Sequence, residues 1–412
     1  MFSRIAVVAA AVLLSAPTSL HAAPFAYITN LSDNTVSVID IAQNIVVDTI
    51  AVGNAPVGVA YALDGGRVYV TNTQSNSVSV IDPATRKVIA TIPVGSNPAG
   101  AAVSPDGTRL YVSNLLDNTV TAIATPANTT LATIPVGSQP FGLAAGTDGS
   151  RVYVVNNASN SVSVINTATN AVIATIPVGT DARDIAASPD GTRVYVTNGT
   201  SGNMSVIATA SNTVVMTVPT GNTPRGIALT QDSAYVYNSN VADGTVAVTR
   251  AADFTNVATI PITLGVGVRG LAATPDGSRM YAVNGSSSLV SAISTATNAE
   301  ISIVPVGQVP LTGGVFIQPP GPAPVIATAS PLPQASVGAF YSVPLAATGG
   351  ATPYRSWAVI AGALPLFFSL DPQTGVLSGT GGSRSRGTYR FTVQVTDAAN
   401  HHGTKAFTLV VN

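Results

Sequence analysis

No cysteine occurs in the 412 residues, which excludes disulfides, thiolate nucleophiles, thiolate-held metals and lipid attachment to an N-terminal cysteine. Charge is scarce too: charged residues make up 8% of the chain, the net charge is −1, and the only lysines are Lys87 and Lys405. Neutralising a phosphate backbone needs clustered lysine and arginine, so a nucleic-acid groove is excluded. Glutamate appears once, at Glu300, and histidine only at His21, His401 and His402. A zinc, copper or iron site of histidine and cysteine therefore cannot be assembled in the body of the chain. A serine nucleophile there would lack its histidine base. No apolar run approaches the roughly 20 residues that a spanning helix needs.

The N-terminus carries Arg4, then ten apolar residues from Ile5 to Leu14, then Leu20-His21-Ala22-Ala23. A basic start, a short apolar stretch and small residues form the pattern of a secretory signal over residues 1–23. The expectation is an exported protein, periplasmic or extracellular at the cell surface, that does not span the membrane.

What the rest of the chain has in abundance is self-similarity. Asn30, Asn72, Asn114, Asn156, Asn198 and Asn240 are each 42 apart, and Asn284 follows after 44. Seven occurrences predict seven units, and a fixed period has to be read before any single strand. In the second unit the pattern predicts four strands, at Gly58 to Ala62, Arg67 to Asn72, Val78 to Ile81 and Val88 to Val94. An Asp-Gly turn at Asp64 joins the first two and recurs at Asp106, Asp148, Asp190 and Asp276, with Asp232-Ser233 in its place once. Asn34, Asn76, Asn118, Asn160, Gly202 and Gly244 share one loop position, and the interchange of asparagine with glycine marks positive φ. Strand four carries Pro93, Pro135, Pro177, Pro219, Pro261 and Pro305, which places it at the outer edge, where no ladder bond is donated.

The first unit begins at Phe25 with strand two and lacks a strand one. Gly314-Val315-Phe316-Ile317, after Pro310, matches the missing strand and is expected to pair with Tyr27 to Asn30, closing residues 24–319 into a ring. The fold class expected is all-β, a seven-bladed propeller with N/C-terminal strand closure. These strands are shorter than the about 9 to 11 residues of membrane barrels, which argues against that architecture. Tyr69-Val70-Thr71-Asn72 and Tyr195-Val196-Thr197-Asn198 resemble the YVTN-type propeller repeat family of bacteria and archaea over about seven-tenths of the chain. The sixth unit departs from the motif, with Tyr237-Asn238-Ser239-Asn240.

Residues 320–324 form a proline-rich, stiff linker. Beyond it, Leu364-Pro365, Ser369-Leu370-Asp371, Thr374-Gly375-Val376-Leu377-Ser378-Gly379-Thr380 and Gly387-Thr388-Tyr389-Arg390-Phe391 look like the Ig-like, cadherin-like modules of bacterial surface proteins, over residues 325–412. Phe367-Phe368 and Gly381-Gly382 depart from that pattern. Some relatives bind calcium through acidic clusters; the only candidates here, Asp371 and Asp397, stand isolated, so calcium is not favoured and no cofactor is expected.

Features present in every unit are architecture, so function is sought where units differ. The motif asparagines read as strand-end amides, and Arg67, Arg109, Arg151, Arg193 and Arg279, in register after the Asp-Gly turns, as surface or blade-packing arginines. The residue before the motif glycine of strand one is Val57, Ala99 and Phe141, then Arg183, Arg225 and Arg269. Three neighbouring blades then present guanidiniums toward one side of a channel mouth, beside Asp181 and Asp184. Two readings remain open: an anion site, since a guanidinium forks onto carboxylate or phosphate, or an internal ion-pair network. The function expected is non-catalytic binding or scaffolding, with a protein, an envelope glycan or a small anion as partner. The alternative, from resemblance alone, is a lactonase-like or quinoprotein-associated propeller enzyme in the periplasm.

Overall fold

The computed structural model describes residues 25–62, 65–264, 267–317, 324–349, 354, 356–396 and 402–412. The expected signal segment, the Asp64 turn position, most of the proline-rich linker, Asp397 and His401 lie outside these residues. Among the described residues there is one turn of 3-10 helix, Ser383–Ser385, and otherwise only strand and turn.

The second blade shows how the repeat folds. Pro56–Tyr61, Val68–Asn72, Ser77–Asp82 and Lys87–Pro93 form one antiparallel sheet in chain order. Tyr69 and Val70 are wholly buried, because the two middle strands are covered by neighbouring sheets on both faces. The fourth strand alternates exposed and half-buried residues, as an outer edge does. Five further four-stranded sheets repeat this, with first strands Pro98–Val103, Pro140–Ala145, Ala182–Ala187, Pro224–Leu229 and Val268–Ala273. The turn chemistry follows the expectation: Asn34, Asn76, Asn118, Asn160, Gly202 and Gly244 all have positive φ, and Ser233 takes the positive φ that glycine supplies in the other turns.

The first sheet has three strands, Phe25–Asn30, Thr35–Asp40 and Ile45–Ala51. Residues 310–317 occupy its inner place, with Tyr27 N–H donating to Phe316 C=O (2.8 Å), bridges joining Ala26 to Ile317 and Asn30 to Pro310, and Phe316 and Ile317 buried. Closure thus occurs where expected, but by separate bridges rather than a continuous strand. The reason is local: Gly314 has a φ of 81°, and Gly313 turns to bridge Gly58 of the second blade. The result is a seven-bladed propeller.

Every element of the YVTN motif serves the ring. The tyrosine and valine fill the space between blades. Thr71 Oγ1 donates to Ala99 C=O on the next inner strand (2.7 Å), and Thr197 Oγ1 does the same to Arg225 C=O (2.6 Å). Asn72 Nδ2 donates to Ser77 Oγ and Ser79 Oγ (3.2 and 2.9 Å), tying the strand end across the hairpin. Gly53 packs directly on that asparagine side chain, leaving no room for a Cβ. The arginines after the Asp-Gly turns are staples between blades: Arg193 donates to Ala251 C=O (2.6 Å), and Arg279 crosses the closure to Ile41 C=O (2.7 Å).

The C-terminal module has two three-stranded sheets, one of Phe340–Pro344, Val376–Thr380 and Phe368–Leu370, the other of Ser356–Gly362, Gly387–Thr396 and His402–Val411. They enclose their own core around Trp357, Leu377, Phe391 and Phe407. At the departure Phe367-Phe368, Phe367 is exposed with a φ of 69°, while Phe368 packs on Tyr341 (5.7 Å between centroids).

Candidate functional site

The inner strands begin at one end of the channel, and the residue at the second position of each faces a shared cavity of about 100 Å³. Its wall is divided by chemistry. Leu311, Val57, Ala99 and Phe141, from consecutive blades, form an apolar half together with Leu143; Arg183, Arg225 and Arg269 form the other. The closing segment thus adds Leu311 as the seventh member of the set. Sequence reasoning missed it, although Pro310-Leu311 stands in register with Pro56-Val57.

Asp181 ties two of the arginines. Its Oδ1 accepts from Arg183 Nε and from Asn157 Nδ2, both at 2.8 Å, and Arg225 NH2 lies 3.4 Å from its Oδ2. Burial alone would raise its pKa, but the Asn157 amide and the Arg225 and Arg183 guanidiniums outweigh it and hold the carboxyl below its usual range. Arg183 also stacks on the Phe141 ring, 5.5 Å from the centroid, joining the two halves of the wall. Arg269 has no acidic partner and no side-chain hydrogen bond among the described residues. Burial and then Arg183 push its pKa down; burial, Arg183 and Arg269 do the same for Arg225 against the opposing pull of Asp181. The three cations therefore act on one another across a small space.

Asp184 does not pair with the arginines. It stands where other blades carry Gly58, Gly100, Gly142, Gly226 and Gly270, glycines whose missing Cβ lets the inner strands approach. Its Oδ1 accepts from Ile185 N–H (3.0 Å) and its Oδ2 from Ile227 N–H on the next blade (3.3 Å). Part of its surface reaches the lumen, yet burial pushes its carboxyl up to about 6, against those two bonds. With both aspartates ionised, three arginines and two acids leave the mouth at +1; protonating Asp184 makes it +2.

The ion-pair reading of the arginine set is met at Asp181. Arg183 and Arg225 share an internal ion pair, and all three guanidiniums still line one cavity. The weaker candidates are placed elsewhere. Asp371 uses its carboxylate on the N–H groups of Gln373 and Thr374 (both 2.8 Å), as a turn cap. His402 Nδ1 contacts Gln394 Nε2 (2.6 Å) and Thr396 Oγ1 (3.1 Å) at the edge of the C-terminal module. No group of three metal-ligating side chains occurs among the described residues.

Comparison with known proteins agrees with this architecture. Residues 125–236 match the family model of the YNCE-like beta-propeller, residues 51–172 that of the 7-bladed beta-propeller Lactonase, and residues 323–412 the model described as "Putative Ig domain". No curated protein matches the chain. Among solved structures, hydrazine synthase of Kuenenia stuttgartiensis is 22% identical, covering 62% of this chain and 88% of that one, with a TM-score of 0.58. A functionally unknown protein from Desulfotomaculum acetoxidans is 18% identical over 72% of this chain and 99% of that one, TM-score 0.64. The dihydro-heme d1 dehydrogenase NirN, in complex with DHE, is 16% identical over 68% of this chain and 63% of that one, TM-score 0.53. Likeness at this level is a likeness of fold.

Proposed function

We propose that the protein is an exported, non-catalytic recognition protein whose channel mouth binds a small organic anion with an apolar side. One observation carries this: three guanidiniums from consecutive blades line a single cavity against two carboxylates, Asp181 and Asp184, and Arg269 is left without an acid. Arg269 is exposed at the mouth, held near the Arg183 cation and without an acid of its own, so a ligand carboxylate gains charge-assisted bonds there. The opposite wall, Leu311, Val57 and Phe141, suits an apolar substituent rather than a bare, strongly hydrated ion. The C-terminal module, similar to Ig-type domains, supports a role in the envelope or outside the cell.

Calorimetric titration with a panel of short carboxylates, and with inorganic phosphate as the apolar-free control, tests the reading. Arg225→Ala combined with Arg269→Ala is expected to weaken carboxylate binding by at least about a hundredfold, the loss of two charge-assisted contacts of about 1.5–3 kcal/mol each. Asp181→Asn has the opposite sign, because it frees Arg183 and Arg225. Unchanged affinity in the double variant overturns the proposal.

A second reading, a periplasmic lactonase-like enzyme, is favoured by the Lactonase match over residues 51–172 and by Asp184, whose pKa near 6 suits a general base at the channel wall. Under this reading, lactone hydrolysis above buffer falls at least about a hundredfold in Asp184→Asn. No turnover on a lactone panel removes it.

A further inference from the structure

At the end remote from the arginines, each inner strand turns into the second strand, and a hydroxyl normally locks that turn. Ser104 Oγ donates to Asp106 Oδ1 (2.6 Å) and accepts from Arg109 N–H (3.0 Å). Ser188 does the same with Asp190 and Arg193, Thr230 with Asp232 and Tyr235, and Thr274 with Asp276 and Arg279. The fourth blade has Gly146 at this position. Arg151 N–H consequently has no acceptor among the described residues, and Asp148 Oδ1 accepts only from Ser150 N–H (3.0 Å). Ala62 of the second blade also lacks the hydroxyl, but the turn that follows it lies outside the described residues.

Beside the gap, between the fourth and fifth blades, is a cavity of about 300 Å³. A water takes about 30 Å³, so the space is far larger than one missing hydroxyl requires. Gly146, Thr147, Asp148, Arg151, Tyr153 and Asp190 are among its walls. Thr147 replaces the proline seen at Pro105, Pro189 and Pro275, and the Tyr153 hydroxyl has no hydrogen-bond partner among the described residues.

We propose that this cavity binds a neutral polyhydroxylated ligand of hexose size, one hydroxyl of which takes the place that serine or threonine fills in the neighbouring blades. The waiting groups are a backbone donor and a carboxylate acceptor, and a hydroxyl satisfies both through a single atom. A carboxylate ligand lacks the donor and an ammonium lacks the acceptor. The charge agrees: Asp148 and Asp190 outnumber the one cation on the wall, Arg151, whose NH1 is held by Thr209 C=O, so the net negative charge disfavours an anion. The Tyr153 hydroxyl offers a further contact to a second ligand hydroxyl.

Gly146→Ser is the natural test, since a Cβ there meets Asp148 Oδ1 at 3.3 Å and Arg151 C=O at 3.4 Å, close enough to need only a small adjustment. Glucose, galactose, N-acetylglucosamine and myo-inositol are titrated into the full-length protein and followed by saturation-transfer NMR and calorimetry. At least one is expected to bind in the millimolar range and to weaken about tenfold or more in Gly146→Ser, whose melting temperature stays level or rises as the turn lock is restored. Tyr153→Phe removes only a hydroxyl and is expected to weaken the same probe. The Arg225→Ala, Arg269→Ala double variant is expected to bind it as the wild type does, separating this cavity from the channel mouth. Failure of every probe to bind, or affinity unchanged in both Gly146→Ser and Tyr153→Phe, overturns the proposal.

Discussion

Asp184 is the residue at which the repeat is most visibly broken, since it puts a carboxylate where five blades have glycine. Its folded pKa near 6 lies above the unfolded value near 3.9, so the folded state binds more protons between these pH values than the unfolded state does. Stability contributed at this position is therefore greatest at low pH and falls as pH rises from about 4 to about 6. Asp184→Asn does not titrate, so its stability relative to wild type should shift in the variant's favour by about 2.5 kcal/mol between pH 4 and pH 8. Urea melts at the two pH values check this; a difference that stays constant would show that burial does not perturb the carboxyl. Asp181, 2.8 Å from Arg183 and 3.4 Å from Arg225, behaves oppositely, because its charged form is the one the fold holds.

At the scale of the strand, what decides the architecture is how closely inner strands approach around the channel. A Cβ on Gly58 would meet Thr71 Oγ1 at 2.9 Å and press into Ala99 C=O of the next blade. Backbone cannot move aside as a flexible side chain can, so Gly58→Ala should cost about 3 kcal/mol. Gly107, in an Asp-Gly turn, has nothing within 4 Å of its missing Cβ, and only its φ of 70° opposes a side chain. Gly107→Ala should therefore cost only about 1 kcal/mol. Chemical denaturation of the two variants separates close approach from backbone conformation; equal costs would refute the distinction. The strand-four prolines act at the same scale, capping an edge that stays half-exposed in every blade.

For the whole molecule, closure is the step that makes seven sheets one structure. Thr29 N–H donates to Thr312 Oγ1 across 283 residues (3.0 Å), and Arg279 reaches Ile41 across 238. A chain cut after Ile317 keeps these contacts and should unfold cooperatively as a monomer. One cut after Val306 loses Phe316 and Ile317 and exposes the inner edge of the first sheet, so it should associate or lose its sharp melt. Size exclusion and thermal melts of the two decide the matter, and identical behaviour would mean that the closing segment is dispensable.

The repeat was legible because each blade solves the same packing problem with the same residues at the same spacing. Val68 to Asn72, the positive-φ asparagines and the strand-four prolines each report a local backbone requirement, and local requirements survive in a linear sequence. The ends of the strands in the second blade shifted only by a residue or two. Also readable was the run Arg183, Arg225 and Arg269, since a break in a repeat is visible without coordinates. Which of them is neutralised was decided only by the tertiary fold: Asp181 lies within reach of two guanidiniums from different blades, and Arg269 lies beyond it. The same holds for Leu311 at the mouth and for the cavity beside Gly146, because both exist only where separate blades meet and no spacing along one chain measures that distance.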